Sequence, residues 1–343
     1  MQPHELSQTI ILPQTKVAFF INLKVPEGQE QAAIDALTGL SGTVDGVSFR
    51  DPHSHLSAVV GIGSQLWDRL FDPSTAPKPE GLHDFVPLEG DKHSAPSTGG
   101  DLFFHIRSDE FDRAFELTRR IKGLLGDEVE TLDEVHAFRY MDFRDPLGFV
   151  DGTESPQGRA GADAALIAEG QWAGGSYIVE QKYTHNLKDW EEIGVEEQQR
   201  VIGRTKAEDI EFDDADKPHN SHVFLNSVED ADGNSLEIVR DNLAFGKGTG
   251  EQGTFFMSYA NDVRVTELML RRMFLGEPRG NYDRILDFST PLTGANFFAP
   301  PQEFVDAADE YVRPGLLPDD DAPADPSQPA TQLSAAKGLF PQD

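Results

Sequence analysis

The chain has 343 residues, 29 basic against 60 acidic for a net charge of −31, and no cysteine. That length accommodates two core-bearing units or one large layered domain. The missing thiols exclude disulfides, cysteine-held zinc, iron–sulfur clusters and thiolate-held or c-type haem, and the acidic surface excludes a phosphate-gripping nucleic-acid face or an anionic-membrane face.

No run approaches the ~18–20 apolar residues that cross a bilayer. The opening Met1-Gln2-Pro3-His4-Glu5 carries no basic or apolar export signal, so a cytoplasmic address is expected. The negative charge has two readings, salt or solubility adaptation and attraction of cationic substrates, and charge alone does not choose between them.

In chain order, Lys16 to Val25 reads as a strand and Glu27 to Leu40 as an amphipathic helix. Val47 to Arg50 and Leu56 to Ile62 are strand candidates, Gln65 to Phe71 a short helix, and Pro73 to Gly99 a long loop. Asp101 to Arg107 is a strand, Glu110 to Leu125 a helix and Val129 to Tyr140 a strand. This order predicts a ferredoxin-like α+β unit over 1–145.

A second such unit is expected over 146–315. Its strands are Gly175 to Tyr183, Leu236 to Leu243 and Thr254 to Ala260, and its helices run from Leu187 to Ile202 and from Val263 to Phe274. The expected architecture is two halves with antiparallel sheets, packed sheet to sheet. From 316 to 343 the composition turns Asp/Ala/Pro-rich, which reads as a disordered tail ending in the apolar peptide Leu333 to Phe340.

Three short strings carry chemistry. Gly148-Phe149-Val150-Asp151-Gly152-Thr153 sets one carboxylate between an apolar pair and a glycine. Ser221-His222-Val223 places an imidazole where a polar loop runs into an apolar stretch, and Arg240-Asp241-Asn242 ends a strand candidate. Taken singly, each has a plain reading as a turn aspartate, a hydrogen-bonded histidine or a surface arginine.

Together and in this order the strings resemble those of the dye-decolourising peroxidase family, in its bacterial cytoplasmic, type B branch. Gly148 to Gly152 is similar to that family's Gly-X-X-Asp-Gly loop, 218–222 to its Pro-X-X-Ser-His setting, and 240–242 to its Arg-X-Asn. The resemblance implies a dimeric α+β barrel-type fold and one non-covalent haem b per chain. It also implies a peroxidase that reduces hydrogen peroxide through an oxoferryl state and oxidises a small-molecule reductant such as a dye, a phenolic or Mn2+.

By the same resemblance His222 is the axial iron ligand, with His219 its competitor and His185 a structural residue. Asp151, Arg240 and Asn242 form the peroxide pocket, and Arg204 pairs with a haem propionate. Phe255 and Phe256 line the haem pocket, and Asp283 or Asp287 holds the imidazole, with Asp287 preferred. A homo-oligomer is expected. Some relatives enter an encapsulin shell through a C-terminal tail, but their Leu-Gly-Ile-Gly-Ser-Leu core is absent here. The alternative is a haem carrier or iron-releasing protein using the same His222 and Arg204 without peroxide turnover.

Overall fold

A computed structural model describes residues 2–317 of the chain. The expected docking peptide Leu333 to Phe340 lies outside the described residues.

The N-terminal half supplies strands β1 (Val17–Lys24), β2 (Ser57–Gly63), β3 (Leu102–Ser108) and β4 (Glu130–Phe138). The C-terminal half supplies β5 (Ser176–His185), β6 (Leu243–Gly246), β7 (Gln252–Ala260) and β8 (Ala295–Ala299). Within each half the first strand pairs with the third and fourth, and the third with the second, all antiparallel. That is the ferredoxin-like order, and it occurs in both halves.

Both halves then meet edge to edge as well as face to face. Strand β2 bonds β8, with Ile62 opposite Phe298, and β4 bonds β6, with Ala137 opposite Phe245. These two seams close the sheet into a barrel and leave none of these eight strands with a free edge.

Paired phenylalanines straddle the barrel wall. Successive side chains of a strand point to opposite faces, so Phe20, Phe103, Phe255 and Phe297 fill the interior, while Phe19, Phe104, Phe256 and Phe298 face the outer layer. Inside, Phe20 stacks on Phe255 at 4.1 Å and Phe103 on Phe297 at 5.2 Å between ring centroids. Outside, the helices Phe111–Leu125 and Glu30–Thr38 bury their apolar stripes against the N-terminal half.

Two expected strands are not formed as read. Val47 to Arg50 falls at the end of a helix, Leu40–Ser48. Leu40, Val44 and Val47 recur at helical spacing and pack toward the helix Phe111–Leu125. Leu236 to Leu243 breaks into Ser235–Leu236, Val239–Arg240 and the start of β6. At the break the side-chain Oδ1 of Asn242 accepts the Met257 N–H at 3.1 Å, and Gln14 Nε2 donates to the Asn242 carbonyl at 2.7 Å. Side chains replace ladder bonds there, which frees the segment to shape a site.

Glu180 faces the barrel interior with 1% exposure, and its carboxylate accepts the Thr293 hydroxyl at 2.8 Å. Burial pushes its pKa up to about 7. A carboxyl raised in the folded state binds protons that the unfolded chain has released, so its contribution falls as pH rises from its unfolded value toward 7. Glu180→Gln is expected to remove up to about 3 kcal/mol of that pH dependence. Denaturant midpoints of both proteins between pH 4.5 and 8 check this, and parallel curves would contradict it.

Candidate active site

One cavity of about 280 Å³ lies outside the barrel, between the outer face of β7, the helix Val263–Leu275 and the loop after β4. Its size is at the lower edge of the range of cofactor and small-molecule sites. Phe149, Phe256, Met269 and Met273 give it apolar walls, and Asp151, Asn242, Arg240, Arg204 and His222 supply the polar groups.

The loop that carries Asp151 is braced before it reaches the cavity. Phe149 and Leu147 are buried, Phe149 meets Trp190 edge-on at 6.0 Å, and the Trp190 indole N–H donates to the Leu147 carbonyl at 2.8 Å. Arg144 Nη1 donates to the carbonyls of Gly148 and Lys206, at 2.9 and 2.6 Å. Gly148 has φ +90, a left-handed conformation that favours glycine. Gly152 has φ +83 and turns the chain directly after Asp151.

Strand alternation sorts the next string. Arg240 and Asn242 face the loop, whereas Asp241 between them enters the barrel. Asn242 Nδ2 donates to Asp151 Oδ1 at 3.1 Å, and Arg240 Nη2 donates to the Thr153 carbonyl at 2.9 Å. Carboxylate, amide and guanidinium are therefore locked to one another through the loop.

His222 opens the short helix His222–Asn226, whose N-cap Ser221 accepts the Phe224 N–H. Its Nδ1 lies 2.7 Å from Oδ2 of the fully buried Asp283. A carboxylate accepts, so Nδ1 carries the proton. Nε2 has no hydrogen-bond partner among the described residues and keeps its lone pair. Asp283 is itself pinned, its Oδ1 accepting the Ile285 N–H at 3.0 Å. A buried, oriented acceptor behind a histidine with a free Nε2 is the arrangement of a metal-ligating imidazole.

Two family models match the chain, the N-terminal Dyp-type peroxidase domain over residues 7–139 and the C-terminal one over 142–304. A dye-decolorizing peroxidase of Brevibacterium linens is 51% identical over 305 residues, 88% of this chain and 82% of the relative. The chain belongs to the Dyp-type peroxidase family. Among solved structures, a variant of DypB from Rhodococcus jostii RHA1 in complex with haem is 48% identical, with a TM-score of 0.85 over 90% of this chain and 99% of that one. The encapsulated DyP-type peroxidase from Mycobacterium smegmatis is also 48% identical, with a TM-score of 0.85 over 88% of this chain and 98% of that one.

Against the expectations for this peroxidase, the cavity gathers Asp151, Arg240, Asn242, His222, Arg204 and Phe256. Phe255 is a correction. It points into the barrel and stacks on Phe20, because its neighbour Phe256 takes the cavity face. Asp287 is another. It binds Lys92, His93 and Tyr282, and the acceptor for His222 is Asp283.

His219 stacks on Phe224 at 4.5 Å and does not line the cavity. His185 does line it, but both ring nitrogens are bonded, to Ser289 and Thr254 at 2.9 Å, and burial holds its pKa down to about 4. Arg204 is at the cavity edge with its guanidinium on Glu154, Asp209 and Glu211. Glu154, 62% exposed, is the partner an incoming carboxylate would displace with least disturbance.

Asp145 was not singled out from sequence, yet it lines the cavity beside Asp151. Burial, and then the charge of Asp151, push its pKa up to about 7. It heads the 145–152 loop, and its Oδ1 accepts the Phe149 N–H at 3.1 Å.

Proposed function

We propose that the cavity holds one haem b non-covalently, that His222 Nε2 would hold its iron, and that Asp151, Arg240 and Asn242 act on the hydrogen peroxide substrate. The observation that carries this reading is the convergence of three distant strings on one cavity, whose lining includes His222, Arg240 and the hydrogen-bonded Asp151–Asn242 pair. The residues present fit the group: an oriented imidazole with a free Nε2, apolar walls for a macrocycle, and Arg204 at the edge for a propionate.

Bound haem supplies the iron that activates peroxide and stores the oxidising equivalents. The chain supplies the rest. Asp283 fixes the tautomer of His222 and strengthens Nε2 as a donor. Asp151 takes a proton from one peroxide oxygen and returns it to the other, which leaves as water. Arg240 cannot act as a base. Its fixed charge stabilises the negative charge that develops on the departing oxygen. Asn242 keeps the carboxylate aimed, and Phe149 and Phe256 help keep the site dry.

Bulky organic donors then return the electrons one at a time. The test is peroxide-dependent bleaching of an anthraquinone dye by haem-loaded protein. Steady turnover is expected, and haem-loaded protein that binds peroxide but oxidises no donor would contradict the reading.

A further inference from the structure

A chain of polar side chains lies inside the barrel, on the other face of β7 from the cavity, and the peroxide chemistry above does not use it. Tyr259 and His105 are both 0% exposed, and the Tyr259 hydroxyl lies 2.9 Å from His105 Nδ1. The other ring nitrogen, Nε2, has no hydrogen-bond partner among the described residues. It faces Asp241 Oδ2 at 3.6 Å, too long for a hydrogen bond but close enough to feel its charge. Arg107 Nη1 donates to the same oxygen of Asp241 at 3.3 Å.

A carboxylate only accepts, so the proton of a neutral His105 sits on Nε2 toward Asp241, and Nδ1 accepts the Tyr259 O–H. Burial, and then Arg107, hold the His105 pKa well below its ordinary value, so the Nδ1 lone pair is available at neutral pH. Burial raises the Tyr259 pKa, so the phenol keeps its proton at rest.

We propose that Tyr259 is a redox-active tyrosine with His105 as its built-in base, holding one of the oxidising equivalents that the peroxidase reaction generates. The inference rests on the peroxidase reading. The step balances as follows. Tyr259 gives one electron to the peroxide-oxidised holoenzyme, its O–H bond breaks, and the proton moves to His105 Nδ1. The products are a neutral tyrosyl radical and an imidazolium whose Nε2–H faces Asp241. Oxidised phenols are strong acids, so a phenol with a base already in place is far easier to oxidise than one without.

Position favours the transfer, since β7 presents Thr254 and Phe256 to the cavity and Tyr259 to the barrel, one sheet thickness apart. Tyr183 supplies the internal contrast. It lines the cavity, but its hydroxyl donates to Gln181 Oε1 at 2.6 Å, an amide oxygen too weakly basic to take the proton.

The test is electron paramagnetic resonance of haem-loaded full chain, frozen after one equivalent of peroxide without donor. A tyrosyl signal is expected, with an exchangeable proton hydrogen-bonded to it that D2O replaces. Tyr259→Phe abolishes the signal while the peroxide-driven change in the haem spectrum keeps its rate. His105→Gln, which leaves an acceptor but no base, abolishes it too and carries the test if Tyr259→Phe folds poorly. A signal that survives both substitutions, or one lost in Tyr183→Phe instead, would overturn the assignment, as would a haem band that responds to peroxide with no tyrosyl signal. An unresponsive haem band would sink the peroxidase reading itself and this inference with it.

Discussion

Haem-loaded protein carrying His222→Ala is expected to lose its Soret absorbance on gel filtration under conditions where the unaltered chain keeps it. Nε2 of His222 is the free, oriented donor that faces the cavity, whereas His185 has both nitrogens bonded and His219 lies outside the cavity wall. No other histidine is placed to substitute among the described residues lining the cavity. Asp283→Asn removes the acceptor that orients the ring, and losing such a partner costs about 10- to 100-fold in metal affinity. The alanine variant is therefore expected to lose more than that. Haem titrations of the three proteins give the ranking, and equal retention would remove His222 from the ligand role.

The second large effect belongs to Arg240. In Arg240→Leu the peroxide-driven change in the haem spectrum is expected to slow by about 10²- to 10³-fold, the loss that follows removal of one donor from a preorganised charge-stabilising site. Haem retention should be unchanged, because Arg240 is hydrogen-bonded to the Thr153 carbonyl and the His222–Asp283 pair is formed without it. Asp151→Ala slows the same step through a different route, the loss of a proton carrier worth about 10²- to 10⁴-fold. Rapid mixing separates the two effects from binding, and a rate within a factor of two or three of the unaltered chain would take Arg240 out of the peroxide pocket.

What was legible in the sequence follows from how local each signal is. The β-rich, aromatic strands and the two ferredoxin-like halves come from periodicity within single elements. Closure of the barrel does not, because the β2–β8 and β4–β6 seams join residues far apart in sequence through main-chain bonds that any side chain permits. Phe255 and Phe256 show the limit at a finer grain. Their sequence says that one ring faces each way, and only the register of β7 decides which one meets the cavity.

Asp283 and Asp287 differ for a related reason. Asp283 caps one 3-10 turn and Asp287 ends it, but Asp283 is drawn inward by its N–H donating to the Met273 carbonyl and its Oδ1 accepting the Ile285 N–H. Asp287 is claimed by Lys92 and His93 from the long loop 73–99, far away in sequence. The Asp151 loop was readable because its requirements are local: two glycines at positive φ, a buried Phe149 and an aspartate between them. Asp145 stayed hidden because what marks it is a neighbouring carboxylate and a cavity wall, neither of which is a pattern in the chain.

The most direct measurement is the absorption spectrum of haem-loaded protein followed from the millisecond range after mixing with one equivalent of hydrogen peroxide. The account predicts a Soret band that changes rapidly and stoichiometrically with peroxide and returns when an organic donor is added. A haem band that is held firmly but ignores peroxide would contradict it and point to a carrier that uses His222 and Arg204 alone.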